Sequence, residues 1–217
     1  MFVLNNKTRL KPGKSWKDDD GFTHPSNWAT AWSAEEKTAR GIKEVTEDPR
    51  PDDKFYRVTR LDLDGKWVSK PKKLDDTKVT VDGVETTTPG LKSEWIAKTK
   101  KTANGLLSTT DWQVIAKAER DRAIDSNVAT YRAAVVSKCA AIEKSITDIA
   151  DTAVPSGYNA AKEKTDPTDA EKKIISDYET EVATKFAAFK ALFDAPVDSD
   201  GKPTGNPPMH DWPVLGD

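Results

Sequence analysis

The sequence predicts an α+β chain: a small N-terminal mixed domain with β-hairpins, then a helical C-terminal region of the αα-hairpin or coiled-coil type. Three observations carry this. Residues 1–75 are rich in tryptophan, proline and turn residues, with strand-like alternation around an Asp-Gly pair. After Pro89-Gly90 the composition shifts to alanine, lysine and glutamate. Two later stretches then repeat apolar residues at three- and four-residue steps, the helical period.

In chain order, Ser33 and Glu36 have capping-box spacing ahead of a short helix, which Gly41 ends in a left-handed C-cap. The segment EDPRPDD, 47–53, forces an extended connection, because the residue before a proline is pushed out of the helical region. FYRVTRLDLDGKWV then alternates around Asp64-Gly65, a pair suited to a type I′ turn, and VTVDGVETT repeats the pattern more weakly around Asp82-Gly83. LKSEWIAKTKKTANGLL reads as helix, with Trp95, Ile96, Thr99 and Ala103 along one side. The cluster Asp125-Ser126-Asn127 starts another helix. Along it Val128, Tyr131, Val135, Cys139, Ile142, Ile146 and Ile149 form a narrow apolar stripe, suited to a helical hairpin or coiled coil. Pro155-Ser156-Gly157 ends that run. Thr168 and Glu171 form a second capping box, opening a helix with Ile175, Tyr178, Val182, Phe186, Phe189 and Phe193 on one side. The two striped helices are expected to pack antiparallel on each other. The predicted layout is a mixed domain at 1–75, a hairpin and linker at 76–92, a helical domain at 93–152, a linker and second amphipathic helix at 153–194, and an extended Pro/Gly-rich tail at 195–217.

Composition narrows the function classes. Apolar residues make up 36% and charged residues 32% of 217, so only thin cores are buried, which favours an elongated assembly component over a compact enzyme. The net charge of -2 comes from interspersed signs and offers no patch for nucleic acid or an anionic membrane. No run approaches the ~18 apolar residues of a membrane span, and no secretory signal is seen, so cytoplasmic synthesis is expected. The single cysteine, Cys139, excludes an internal disulfide and reads as a buried helix position.

No catalytic, cofactor or metal site is predicted. His24 and His210 have no neighbours at metal-ligand spacing, and there is no phosphate loop, dinucleotide fingerprint or nucleophile elbow. Three DxDG strings begin at Asp18, Asp62 and Asp198. In a calcium-loop register each lacks its first ligand, where Trp16, Arg60 and Pro196 stand, and its closing glutamate, so they read as turns. Asn6-Lys7-Thr8 is a formal glycosylation sequon with no secretory route to give it meaning. The 7 tryptophans keep no fixed spacing and read mainly as anchors of small cores. In GLLSTTDW, Thr109, Thr110 or Asp111 is expected to cap the next helix, with Leu106 and Leu107 as a staple and Trp112 packed to lock the joint.

These residues resemble the tail assembly chaperone-like domain of tailed bacteriophages, found in proteins encoded beside tail-fibre genes. The likeness runs through Trp95-Ile96, LLSTTDW, QVIAKAER and YRAAV at 131–135, with a Trp-Pro pair at Trp212-Pro213. NWATAWSAEEKTARGIKEV, PRPDDKFYRVT, a hairpin and KKLDD resemble segments that precede that domain. The second striped helix departs from the pattern. The resemblance implies a non-enzymatic factor that binds a tail-fibre, receptor-binding or baseplate protein and aids its trimerisation, in the host cytoplasm during assembly or retained on the virion.

Candidate partner-binding residues are Trp28, Trp32, Phe55, Tyr56, Trp112 and Arg132, because interface anchors are enriched in aromatic residues and arginine. The alternative is a permanent tail or baseplate component that oligomerises through Val128, Tyr131, Val135, Ile142, Ile146 and Ile149. A hydrolase would need two of the 36 acids paired in a cleft, which sequence does not place.

Overall fold

The computed structural model describes residues 1–216; Asp217, the last residue of the expected tail, is outside the described residues. Strands dominate the first part and helices the second, an α+β layout. The chain divides into two compact units, Met1–Lys72 and Lys73–Asp217.

In the first unit β1 (Phe2–Leu4) lies between β2 (Thr8–Leu10) and β5 (Ile42–Glu44) in an antiparallel sheet. The β1–β2 turn is made by Asn5 and Asn6, both at positive φ, a conformation asparagine tolerates better than most residues. A ribbon of β3 (Trp16–Lys17) and β4 (Thr23–His24) leads into α1 (Trp28–Ala31). Leu4, Leu10, Trp28 and Ile42 form the core, with Phe2, Trp16 and Trp32 packed against it. Trp28 is fully buried, and its indole N–H donates to the Lys14 carbonyl at 3.0 Å. The capping box of Ser33 and Glu36 opens α2 (Ala34–Ala39) as expected, and Gly41 follows it at φ +72°.

The hairpin of β6 (Tyr56–Leu61) and β7 (Trp67–Pro71) is tied down by Trp67, whose indole donates to the Asp48 carbonyl, and by Arg9, which donates to the Leu61 carbonyl. Its turn is not the expected type I′. Only Gly65 has positive φ, because the Asp62 carboxylate accepts from the Asp64 and Lys66 N–H groups and lengthens the loop. A Cβ on Gly65 would lie 2.1 Å from the Thr46 carbonyl, so no other residue fits.

The same turn occurs three times. Asp18, Asp62 and Asp198 each accept two backbone N–H bonds on one carboxylate oxygen, and Gly21, Gly65 and Gly201 follow at φ +86°, +80° and +77°. The turn reading of the DxDG strings is what forms.

In the second unit β8 (Thr77–Val81) and β9 (Val84–Thr88) make a hairpin around Asp82 and Gly83, at φ 52° and 79°, the type I′ geometry. Helix α3 (Leu91–Ser108) runs into α4 (Asp111–Arg120), and α5 (Ser126–Thr147) starts on the Asp125 cap. Lys92 meets the Ile149 carbonyl at one end and Leu107 meets Arg132 at the other, so α3 and α5 are antiparallel. Ala103, Tyr131 and Val135 form their core, with Leu106, Leu107, Cys139 and Trp212 packed around it. Lys92 also binds Asp75 at 2.5 Å and Asp151. Burial works against its charge, but the two carboxylates outweigh it and hold the ammonium above the usual lysine range.

Two expectations are corrected here. The stripe of α5 does not pair with the later striped helix. The corner at α4 is short, so α3 folds back on α5 first, while α7 (Asp169–Ala191) packs on α6 (Tyr158–Glu163), a helix unforeseen in the polar linker. The Tyr158 ring meets that of Tyr178 at a tilt of 58° with centroids 4.5 Å apart, and Phe193, just past α7, meets Trp95 at 4.5 Å. Nor does the stripe offer an oligomer seam. Val128, Tyr131, Val135, Ile142 and Ile146 are buried within the chain, and the half-buried Ile149 lies beyond the end of α5. The tail is irregular rather than extended: the Asp198 turn folds it back, and Met209, buried, donates its N–H to the Leu192 carbonyl.

Two outcomes follow for stability. Ile146→Ala removes a fully buried side chain and costs about 2–5 kcal/mol in urea unfolding, whereas Val136→Ala, at 56% exposure, changes stability by less than about 0.5 kcal/mol. The capping box of α7 titrates: the Lys164 ammonium and the Thr168 N–H and hydroxyl hold the Glu171 carboxyl down at about 2. Its folded value lies below that of a free glutamate, so the cap is complete above roughly pH 4.5 and is lost as pH falls toward 2. Glu171→Gln should flatten that part of the helicity profile followed by circular dichroism.

Candidate partner-docking site

The corner between α3 and α5 is built from the TDW and YR segments. A helix ends with carbonyls that have no partner in the next turn. At the end of α3 two threonines supply partners: the Thr109 hydroxyl donates to the Leu106 carbonyl at 2.9 Å and the Thr110 hydroxyl to the Leu107 carbonyl at 3.0 Å. The expected N-cap is therefore absent, and these hydroxyls close α3 rather than open α4.

Arg132, on α5, holds the joint. Its Nη1 lies 2.8 Å from each of the Leu107 carbonyl, the Thr110 hydroxyl and the Asp111 carboxylate. The positive charge meets the carbonyl end of α3, and Asp111 sits in the first turn of α4, so both helix dipoles are complemented. The far end of α4 is fixed too. Asp121 closes it at φ 50°, the Asp121 carboxylate pairs with Lys117, and the Gln113 side chain accepts the Asp125 N–H at 2.8 Å.

The helix held this way is turned inside out. Gln113 and Ala116 are its half-buried positions, whereas Trp112 and Ile115 are each 54% exposed and Val114 is 38% exposed. No residue of α4 is buried. Trp112 does not lock the joint, as the sequence suggested; Arg132 does, and Trp112 faces outward with the Arg122 guanidinium over its ring, 5.8 Å from the centroid. Ile115, Val114 and Arg122 were not among the candidates. Their signal was the i, i+3 spacing of Trp112 and Ile115, which gives a face but not its direction.

The other candidates divide by burial. Trp28 and Phe55 are buried in the first unit and serve packing, so neither is free to meet a partner. Trp32 and Tyr56 are half-buried there, Trp32 under the Arg40 guanidinium at 4.3 Å. Trp28 and Trp32 pack on each other there, with ring centroids 6.4 Å apart, whereas Trp112 and Arg132 stand at the corner between α3 and α4, where Arg132 binds Asp111 beside Trp112.

The titratable groups singled out by sequence have structural partners. His24 lies 3.0 Å from Asp18 and stacks on Trp16, and His210 stands 6.2 Å from the Phe193 ring. The half-buried Cys139 thiol is pushed up first by burial and then by Glu143. Among the described residues no three His, Cys, Asp or Glu side chains gather as metal ligands, and no helix is long and apolar enough to cross a membrane. The chain matches no family model, no curated protein and no solved structure.

Stability and surface separate cleanly at this corner. Arg132→Ala removes the one donor shared by the Leu107 carbonyl, the Thr110 hydroxyl and the Asp111 carboxylate and should cost about 2 kcal/mol, while Trp112→Ala should cost less than about 1 kcal/mol. Thermal unfolding of the two variants side by side checks this.

Proposed function

We propose that the chain is a non-enzymatic assembly factor of a bacteriophage tail, which docks on a tail-fibre or baseplate protein through the outward face of α4. The observation that carries this reading is a short amphipathic helix clamped at both ends with Trp112 and Ile115 facing solvent. A helix in water turns such residues inward unless something else covers them. Covering this pair contributes on the order of 2–4 kcal/mol, the scale of an interface hot spot.

The phage assignment rests on the resemblance of LLSTTDW, QVIAKAER and YRAAV to tail assembly chaperone-like domains. The geometry supports giving those segments one task. LLSTTDW and YRAAV supply the acceptors and the arginine of the clamp, and QVIAKAER supplies the rest of the helix they hold out. A rigid platform of this kind presents its aromatic anchor at little entropic cost. On this reading the protein acts in the host cytoplasm during assembly. It reads no nucleic acid, enters no membrane and needs no cofactor.

Co-expression with the neighbouring tail-fibre gene tests the reading. The parent chain should raise the yield of soluble fibre trimer, and Trp112→Ala combined with Ile115→Asp should abolish both the gain and co-purification while the unfolding temperature stays within a few degrees. Equal trimer yields with and without the parent chain would sink the proposal.

A further inference from the structure

Among the described residues the hairpin of β8 and β9 has no third strand and no helix over either face; every residue from 78 to 89 is exposed. A two-stranded ribbon alone is marginal in water. Its side chains are nonetheless sorted. The register Val79↔Thr86 and Val81↔Val84 puts three valines and several threonines on one face, with Val79, Val81 and Val84 at 48%, 58% and 65% exposure. Lys78 and Glu85 pair at 2.8 Å on the other.

The register also fixes which backbone groups are open. A type I′ turn makes Val81 and Val84 a hydrogen-bonded pair, so the N–H and C=O groups of residues 77, 79, 81, 84, 86 and 88 point inward. Those of Lys78 and Thr80 point out along one edge, and those of Glu85 and Thr87 along the other. Proteins blunt such edges with lysine, proline or a bulge. The hairpin of β6 and β7 does so, with Arg57 and Arg60, a bulge between Val58 and Arg60, and Lys70-Pro71. The β8 edge carries Lys78. The β9 edge, VETTT, has no lysine, no proline and no bulge, and four of its five residues are β-branched.

We infer that β9 is a self-pairing edge: two copies of this chain join antiparallel through their β9 strands, centred on Thr86, into one four-stranded sheet. In that register Glu85 faces Thr87 of the second copy and Val84 faces Thr88, so no like charges oppose and each Glu85 keeps its own Lys78. The residues that meet as hydrogen-bonded pairs are the ones whose backbone groups point outward. Both valine faces lie on the same side of the joined sheet. Five residues a side bury far less than the roughly 1,200 Å² of a stable complex, so the association is weak and concentration-dependent.

Sedimentation equilibrium of the full chain from roughly ten micromolar to one millimolar tests this. The mass should climb from 23.9 kDa toward twice that value. Thr87→Pro deletes an outward donor and leaves every inward bond, so it should hold the protein monomeric throughout with an unchanged circular dichroism spectrum. Thr80→Pro, the same change on the opposite edge, should associate as the parent does. Thr87→Glu sets a carboxylate directly opposite Glu85 of the other copy at both ends of the joined pair, so it should weaken association at least tenfold, and it decides the matter if the proline variant does not fold. A parent chain that stays monomeric, including one that pairs only with a strand of another added protein, overturns the inference. So does a dimer indifferent to both substitutions at position 87, or one abolished by Thr80→Pro.

Discussion

One guanidinium closes the place where two helices meet end to end. Where α3 stops, its last carbonyls have lost their helical partners; where α4 starts, a carboxylate stands in the first turn. Arg132 reaches both from a third helix. The contact therefore sets the angle of the corner as well as its stability, and it brings the start of α5 beside the end of α3. The antiparallel packing of Ala103 against Tyr131 and Val135 follows from that closure. Had the joint been apolar, a tryptophan would have been needed to fill it. Because it is polar, the tryptophan is released to the surface.

Most caps and turns are legible in the sequence, although the Asp64-Gly65 turn and the cap at 109–111 are not, and pairings across the chain are not. Both capping boxes, the Asp125 cap and the turn character of the DxDG strings rest on side chains that act within a few residues. Helix partnership does not. The stripes of α5 and α7 share a period, and period says that a face is buried without naming what buries it. The short polar turn at 109–110 decided the matter by letting α3 reach α5 first. The first hairpin is hidden for a different reason: Asn6 reads as the start of the sequon Asn6-Lys7-Thr8, whereas the physical content of Asn5-Asn6 is two residues able to hold positive φ in succession.

The site shows the same division. Arg132 and Trp112 were both marked as anchors from residue type, and burial separates their tasks: one is spent inside the corner and the other is left outside it. Trp28 and Phe55 carried the same signal and are core. An aromatic side chain is suited equally to a small core and to an interface, so only its exposure in the folded chain distinguishes the two uses. Polar ties do much of the holding around these small cores, as at Lys92, which gathers Asp75, Asp151 and the Ile149 carbonyl at one point.

The turn that appears three times has a consequence for how this sequence is free to drift. In each copy the first aspartate receives two backbone N–H bonds and the glycine takes a conformation closed to other residues at little cost. The side chain between the first and third aspartates enters none of these bonds, and the positions hold an acid, an aliphatic and a hydroxyl residue: Asp19, Leu63 and Ser199. Selection on folding thus grips the first and fourth letters of the motif and leaves the second open. Each copy is a fixed hinge pin with an interchangeable head, and new surface chemistry can be tried there without disturbing the strands or helices on either side.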